Sequence, residues 1–360
     1  MPRHAFILGG TGQIGLAVGA ALIAAGWRIT IAHRGRRPVP QGLAKCGAQI
    51  VTLDRDTPGA LAEALTDGAD ALIDVTAFGH QHARQLLEVQ RGIGALVVVS
   101  SASVYRDAAG RTLDEATQNG FPHFPEPITE AQPTVKPGDA TYSTRKVALE
   151  QVLMDEATVP VIVLRPGAIH GPGSIHPREW WVVKRILDGR KAIPLARGGG
   201  DRFHTTSTLN IAAATRAALE TPSSRILNIA DPTALNVTEI TAAIAAHLCY
   251  DGEIVKLAHG ATPAHVGRTP WSTPRPIVLD TAAALAMGYA PVTTYAAAVG
   301  ATCDDLVARS EGKDWRTVFP ALAAYPFAQF DYEAEDRVFG AANQAQAEEI
   351  RNPGAPPTVS

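Results

Sequence analysis

Short apolar runs alternate with amphipathic stretches through the first hundred residues of the chain. The apolar runs predict buried strands, which we place at residues 4–8, 28–33, 49–53, 71–75 and 95–99. Apolar positions at helical spacing predict helices between them, including residues 60–65 and 82–91. Strands that are apolar on both faces and alternate with helices indicate a parallel sheet covered on both sides. Right-handed crossovers then give an α/β protein with a doubly wound parallel sheet.

The pattern changes after residue 105. Residues 106–138 are polar and rich in proline, which predicts a long irregular loop that we interpret as a lid over a binding site. Asp139 is the expected N-cap of a helix at about 140–157. Asn236 or Thr238 is expected to cap a helix that ends near residue 246. The remaining predicted elements are strands at 161–164 and 226–229 and helices at 180–187, 211–220, 281–287 and 295–310.

A glycine-rich turn, residues 9–15, follows the first predicted strand and leads into a helical pattern. Gly9 allows the sharp turn, and Gly12 lets the backbone approach a pyrophosphate at the helix N-terminus. Gly15 lets the helix pack close to the strand. The order strand, glycine turn and helix is that of a dinucleotide-binding site. We therefore predict that a dinucleotide binds along Gly9, Thr11, Gly12, Gln13, Ile14 and Gly15.

These elements divide the chain into two parts. Residues 1–169 are the predicted dinucleotide-binding Rossmann domain, which residues 205–235 rejoin through the strand at 226–229. Residues 170–204 and 236–340 form a smaller C-terminal lobe that is expected to bind substrate. The tail at 341–360 is expected to be flexible.

The end of the second strand should select the cofactor. NAD(H)-binding folds place an acidic residue there to hold the ribose 2′-hydroxyl. Here the position carries His33 and Arg34, with Arg36 and Arg37 following and no carboxylate nearby. A guanidinium at Arg34 suits a 2′-phosphate, which favours NADP(H), with NAD(H) as the alternative. Asp54 ends the third strand, where it is either a contact for the adenine amino group or an ordinary strand-end residue.

A serine, a tyrosine and a lysine form the candidate catalytic group. Ser101 follows the fifth strand, while Tyr142 and Lys146 are four residues apart and so share one helix face. An ammonium beside the phenol, together with an oxidised nicotinamide, is expected to lower the phenol pKa from its usual value of about 10. Tyr142 then exchanges a proton with the substrate oxygen, and Ser101 hydrogen-bonds the same oxygen. Lys146 is also expected to bind the cofactor ribose.

Composition disfavours several other classes of protein. The 360 residues carry a net charge of −3 and no basic block, so no nucleic-acid partner is expected. No apolar run reaches the roughly 18 residues of a membrane span, and the first strand leaves no room for a signal peptide. Cys46, Cys249 and Cys303 are scattered, as in reduced cytosolic proteins, and the histidines form no ligand pair. We therefore expect a cytoplasmic protein without a metal site.

The motifs resemble those of the extended short-chain dehydrogenase/reductase superfamily, in its NAD(P)-dependent epimerase/dehydratase family. The resemblance rests on the glycine signature and the catalytic residues at Gly9, Gly12, Gly15, Ser101, Tyr142 and Lys146. Residues 165–173 resemble the family segment that passes the nicotinamide, which implies a cofactor contact at Pro166. The arginine-rich segment at 34–38 is similar to an atypical branch, some chloroplast members of which bind RNA. Homodimers are common in the family, so a homodimer is an option here.

Two departures from the family pattern bear on the reaction. Sugar-nucleotide 4,6-dehydratases carry Asp-Glu just after the catalytic Ser or Thr, and the chain has Ala102 and Ser103 there, which argues against dehydration. Asn210 stands where the family usually has Asp. Arg202 is a candidate for binding the diphosphate of a nucleotide sugar, with an ordinary surface arginine as the equal alternative.

The sequence therefore predicts an NAD(P)-dependent oxidoreductase that transfers hydride between the nicotinamide and a carbinol or carbonyl carbon. The substrate is expected to be a small molecule, with a sugar derivative as one candidate. The alternatives are a nucleotide-sugar epimerase that oxidises its substrate transiently, or a catalytically silent relative that binds NADP or RNA. The Tyr142–Lys146 pair favours the enzyme.

Overall fold

The computed structural model describes residues 2–35, 39, 47–258, 260 and 263–340. The predictions for Arg36, Arg37, Cys46 and the tail at 341–360 fall outside these residues. The strands are β1 (His4–Leu8), β2 (Arg28–His33), β3 (Gln49–Thr52), β4 (Ala71–Asp74), β5 (Leu96–Val99), β6 (Val161–Pro166), β7 (Ala168–His170), β8 (Ala192–Leu195), β9 (Thr205–Ser207), β10 (Arg225–Ile229) and β11 (Glu253–Lys256).

The helices connect and cover these strands. They are α1 (Gln13–Ala24), α2 (Ala60–Ala64), α3 (Gly79–Glu88), α4 (Ala116–Asn119), α5 (Tyr142–Glu156), α6 (Trp180–Leu187), α7 (Thr208–Ala218), α8 (Val237–His247), α9 (Ala282–Ala286), α10 (Tyr295–Ser310), α11 (Trp315–Val318) and α12 (Pro320–Ala323).

The central sheet contains seven parallel strands in the order β10-β6-β5-β4-β1-β2-β3. The strand order reverses between β1 and β4, so the two halves of the sheet wind in opposite directions. This arrangement confirms the predicted doubly wound α/β fold. Ligands of such sheets bind at the carboxyl edge next to the reversal. The turns after β1 and β4 meet at that edge.

Both faces of the sheet are buried, which explains the continuous apolar strands. In β1, Ala5 and Ile7 pack on one side of the sheet, in a core cluster with Val18 of α1. Phe6 and Leu8 pack on the other side, in a cluster with Leu149 of α5. Burial of such side chains contributes roughly 1.5–3 kcal/mol each, so β1 is stabilised from both faces of the sheet.

A separate apolar core lies under the C-terminal lobe. It includes Trp180 and Trp181 of α6, Ile240 of α8, and Val299 and Leu306 of α10, all nearly or fully buried. The short parallel sheet of β8 and β11 adjoins it. The tryptophan pair therefore packs inside this lobe and does not line the main pocket.

Several element bounds differ from the predictions, among them the starts of α5 and α7 and the end of β6. Helix α5 is capped by Thr141 and not by Asp139, because the Thr141 hydroxyl accepts the backbone N–H of Thr144 and the Thr144 hydroxyl accepts that of Thr141. Helix α7 begins at Thr208 because the Ser207 hydroxyl accepts an N–H of its first turn. Strand β6 continues to Pro166, which pairs with Ile229 of β10.

The third helix of the predicted series also differs in its bounds. It was expected at 82–91, whereas α3 spans Gly79–Glu88 and a separate 3₁₀ turn follows at Gln90–Gly92. By contrast, Asn236 caps α8 as one of the two predicted candidates, with Glu239 completing a capping box.

The loop at 106–138 is irregular apart from α4, as predicted. It is also packed against the protein, because Phe124, Ile128 and Val135 are buried in a cluster with Ile277 and Leu279. Leu113 and Asp114 of this loop line a pocket at the carboxyl edge of the central sheet. The role of this loop as a lid stays a prediction.

Candidate active site

A pocket of about 940 Å³ opens at the carboxyl edge of the central sheet. It runs from the glycine turn after β1 to the N-terminal turn of α5, under the loop that joins β7 to α6. It brings together the predicted site residues Gly9, Thr11, Gly12, Gln13, Ile14, Arg34, Ser101, Tyr142, Lys146 and Pro166. Gly15 lies just behind this wall in α1, and Asp54 is not part of the lining.

The glycine turn forms a cradle that fits the pyrophosphate of a dinucleotide. Gly9 has φ of +79°, and a Cβ there would lie 2.3 Å from the side chain of Thr76. A Cβ on Gly15 would lie 2.5 Å from the carbonyl oxygen of Gly9. Helix α1 has no side-chain cap at Gly12, so its first N–H groups can bind an anion. The side-chain oxygen of Gln13 is buried without a hydrogen-bond partner among the described residues.

The other end of this pocket lies at the ends of β2 and β3, where the sequence predicts the adenosine of the cofactor. Arg34 is exposed and lines the pocket, as expected for a residue that selects the cofactor. Asp54 is exposed, and its carboxylate accepts the backbone N–H of Asp56 at 3.2 Å. This is the behaviour of an ordinary strand-end residue and gives no support to the predicted adenine contact. Arg55 and Asp56 line the pocket in its place.

A buried ion pair that the sequence reasoning missed lies beside this end. The guanidinium of Arg55 contacts the carboxylate of Asp74, which is fully buried at the end of β4. The same carboxylate accepts the N–H and the hydroxyl of Thr76 at 2.8 and 2.9 Å. Asp74 therefore fixes the turn after β4, against which Gly9 packs. The sequence signal for this ion pair was an acidic residue, Asp74, at the end of a strand that is otherwise apolar.

Tyr142 and Lys146 lie on one face of α5, in the wall of the pocket. The Tyr142 side chain is 47% exposed, and its ring centre lies 5.4 Å from that of Phe78. The Lys146 ammonium is buried and donates to the backbone carbonyls of Ala77 and Val99, both at 2.8 Å. Its nitrogen lies 5.7 Å from the centre of the Tyr142 ring. These bonds fix the lysine between the ends of β4 and β5.

The lowered phenol pKa that the sequence predicts depends in part on an oxidised nicotinamide and stays a prediction. Burial lowers the pKa of Lys146 to about 8. Desolvation of the phenol in the pocket raises the pKa of Tyr142, and the Ser101 side chain opposes the rise. The lysine is held by backbone carbonyls, so it does not bond the phenol oxygen. In the protein alone Tyr142 is therefore protonated near neutral pH, the form of a proton donor.

A buried polar network supports the catalytic helix from below. Glu150 of α5 binds the Arg165 guanidinium at 2.5 and 3.1 Å and accepts the hydroxyl of Ser100. Glu150 and Arg165 are each 3% exposed. The Arg165 guanidinium also lies 5.0 Å above the ring of Tyr105. The network connects α5 to Ser100, which follows β5, and to Arg165 in β6.

Glu150→Ala is expected to lower the free energy of unfolding by about 3–5 kcal/mol, because it leaves the buried Arg165 charge without a partner. Urea unfolding checks this value. Arg84→Ala is the matched control: it breaks the exposed ion pair between α3 and Glu156 and should change stability little. Equal effects of the two substitutions would contradict a supporting role for Glu150.

Several other predicted candidates have structural contacts. Arg202 forms an ion pair with Glu126 at 2.5 Å and does not line the pocket. Asn210 is fully buried and donates to Asp231 at 2.8 Å. His170 also bonds the Asp231 carboxylate, at 2.8 Å. Asn210 therefore takes a structural role where the family usually has an acid.

Two further observations on the described residues bear on the site. In the part of the chain that the structure describes, no helix is long and apolar enough to span a membrane. Within the same residues, no three His, Cys, Asp or Glu side chains are grouped so that they could hold a metal ion.

The family model described as NAD dependent epimerase/dehydratase matches residues 5–230 of the chain. The chain belongs to this family. The match spans every strand of the central sheet, the glycine turn and the Ser101–Tyr142–Lys146 group. The description of this family names NAD. The pocket lies at the carboxyl edge of the central sheet, where ligands of doubly wound sheets bind.

Two curated relatives match parts of the chain. A 2′-dehydrokanamycin reductase of Streptomyces kanamyceticus is 30% identical over 172 residues, which are 47% of this chain and 43% of the relative. The chloroplast stem-loop binding protein of 41 kDa b of Arabidopsis thaliana is 25% identical over 209 residues, 55% of this chain and 50% of the relative. The matched region spans about half the length of each relative.

Solved structures share the fold over most of the chain. A UDP-glucose 4-epimerase of Thermus thermophilus in complex with NAD superposes with a TM-score of 0.62 and 18% identity. The match covers 84% of this chain and 98% of that one. At 18% identity this likeness shows the fold alone.

Proposed function

We propose that the protein is an NADP(H)-dependent oxidoreductase that acts on a carbinol or carbonyl carbon of a small molecule. The observation that carries the proposal is a single pocket lined by the glycine turn at one end and by Ser101 and Tyr142 at the other. A bound nicotinamide cofactor supplies or accepts the hydride. The chain itself must hold that cofactor, orient the substrate oxygen and move one proton.

Each residue of the group has a defined task in this proposal. The N–H groups at the start of α1, with Gly9, Gly12 and Gly15, hold the pyrophosphate. Ser101 donates a hydrogen bond to the substrate oxygen, which orients it. Tyr142 gives its phenol proton to that oxygen during reduction and takes it back during oxidation. The Lys146 charge would stabilise the phenolate that remains, and Lys146 would bind the cofactor ribose.

Reduction is the direction that the described residues support best. Ala102 and Ser103, which follow Ser101, supply no carboxylate for the loss of water. The relative from Streptomyces kanamyceticus is named as a reductase, which agrees with this direction. A nucleotide-sugar epimerase is the alternative; it would keep its cofactor bound through turnover, whereas a reductase exchanges it.

The test begins with cofactor binding by the purified protein. We expect NADPH or NADH to bind at micromolar levels, followed by NADPH oxidation with at least one member of a panel of aldehydes, ketones and keto-sugars. Release of NADP⁺ in each turnover would distinguish reduction from epimerisation. Failure of both nucleotides to bind at micromolar levels would contradict the proposal.

Arg34→Ala is expected to raise the Kd for NADPH about tenfold and to leave the Kd for NADH almost unchanged, because a guanidinium–phosphate pair is lost. Fluorescence titration of both nucleotides gives the ratio. Arg28→Ala is the matched control, since Arg28 is an exposed arginine at the opposite end of β2. Equal weakening of NADPH and NADH by Arg34→Ala would mean that Arg34 does not read the 2′-phosphate.

RNA binding is a second candidate function, favoured by the match to the chloroplast stem-loop binding protein. The net charge of −3 weakens it, because RNA binding draws on basic surfaces. A gel-shift experiment with a structured RNA at moderate salt tests it. Tight binding there, in a protein that fails to turn over any carbonyl compound, would place this function first.

A further inference from the structure

One cation in the pocket has no task in the proposed reaction. Arg178 lies in the loop between β7 and α6 and lines the pocket together with Phe203 and His176. Its guanidinium carbon lies 5.6 Å from the centre of the Phe203 ring, a cation–π contact. Its Nε is buried, and among the described residues it has no hydrogen-bond partner.

The charge of Arg178 is not balanced by its surroundings. Within the described ranges, no carboxylate lies within 4 Å of its guanidinium nitrogens. The carboxyl of its chain neighbour Glu179 is buried; burial raises the pKa of this carboxyl, and the charges of His170 and Arg178 oppose the rise. The Glu179 side chain instead takes a hydrogen bond from Tyr295. A half-buried cation without a counter-ion costs free energy that an anionic ligand would offset.

The other pocket cations already have partners or a cofactor task. Arg55 is paired with Asp74, and Lys146 is bound by two backbone carbonyls. Arg34 lies at the adenosine end, after β2. Arg202, which the sequence offered as an anion-binding residue, is neutralised by Glu126. Among the described pocket residues, Arg178 is therefore the arginine or lysine that remains to meet a charge on the substrate.

The loop that carries Arg178 is held in place. The backbone N–H of Gly173 donates to the Asp305 carboxylate at 2.9 Å, and Arg309 donates to the Ser174 carbonyl at 3.0 Å. A Cβ on Gly173 would lie 3.8 Å from that of Gln13, so the loop packs directly against the start of α1. A fixed loop presents its guanidinium without an ordering cost on binding.

We propose that Arg178 is a specificity-determining residue that binds an anionic group of the substrate, a carboxylate or a phosphate, away from the reacting carbon. The proposal rests on the proposed function, because Tyr142 defines the reacting end of the pocket. A guanidinium binds either anion with two parallel hydrogen bonds, so both share one chemistry. The substrate would lie with its carbonyl at Ser101 and Tyr142 and its anion at Arg178.

The test uses the NADPH-loaded protein and three probes of similar size: benzoate, phenyl phosphate and neutral benzamide. Each probe is titrated into wild type and into Arg178→Gln, Arg178→Lys and the control Arg202→Gln, and thermal melting checks that each variant is folded. We expect Arg178→Gln to weaken one or both anions at least tenfold and to leave benzamide unchanged. Arg178→Lys should keep part of the affinity, and Arg202→Gln should bind like wild type.

The outcomes separate this proposal from the proposed function. Preference for benzoate would identify a carboxylate substrate, and preference for phenyl phosphate a phosphorylated one. Equal anion binding by wild type and Arg178→Gln would overturn the proposal. So would an Arg178→Gln variant that weakens NADPH binding tenfold with anion binding intact, since Arg178 would then serve the cofactor. Failure of the wild type to bind NADPH or NADH would instead reject the proposed function.

Discussion

Tyr142→Phe is expected to lower kcat for carbonyl reduction by about 100- to 10,000-fold, the range that a positioned acid contributes. The substitution removes only the phenol oxygen from a ring that packs 5.4 Å from Phe78. The pocket shape and the affinity for NADPH should therefore change little. Steady-state kinetics on a substrate found by the carbonyl panel, with a parallel NADPH titration, measure both quantities.

Tyr325→Phe is the control for this experiment. Tyr325 lies in the C-terminal lobe, where its ring packs 5.7 Å from Phe327, so the loss of its hydroxyl should leave kcat unchanged. A Tyr142→Phe variant with more than a tenth of wild-type kcat would mean that another group gives the proton.

Gly15→Ala is expected to abolish measurable cofactor binding, with the Kd raised at least a hundredfold. The added Cβ would lie 2.5 Å from the Gly9 carbonyl oxygen and 2.6 Å from the Gly10 Cα. Both contacts are with backbone, so α1 must move away from the turn that holds the pyrophosphate. Fluorescence titration with NADPH and NADH measures the loss, and circular dichroism checks that the sheet remains folded.

Gly200→Ala provides the comparison for the glycine turn. Gly200 has φ of −82°, and the nearest atom to an added Cβ is the Arg197 carbonyl oxygen at 3.8 Å. This substitution should leave both nucleotide affinities unchanged. Normal cofactor binding by Gly15→Ala would show that the pyrophosphate does not lie on this turn.

The parts of the fold that depend on local pattern could be predicted from the sequence. The apolar run predicted strand β1. The spacing of the glycines predicted the turn after it, where Gly9 and Gly15 have no room for a Cβ. Strand β10 was expected to rejoin the sheet, and it pairs with β6. Such features are visible because each depends on the residues of one short segment.

Other features depend on which side chains meet in space. Asp139 and Thr141 are both good N-caps by type, and only the reciprocal bonds with Thr144 decide between them. The pKa of Tyr142 depends on desolvation in the pocket and on Ser101 and Asp114, which lie far away in sequence. The unbalanced charge of Arg178 likewise emerges only from the contacts that surround it.

A crystal structure with NADP⁺ bound tests the central claim most directly. The account predicts the pyrophosphate over the N-terminus of α1, at Gly9 to Gly15, and the nicotinamide ring beside the Tyr142 hydroxyl. Density for the nucleotide elsewhere, or a Tyr142 hydroxyl turned away from the nicotinamide, would contradict it.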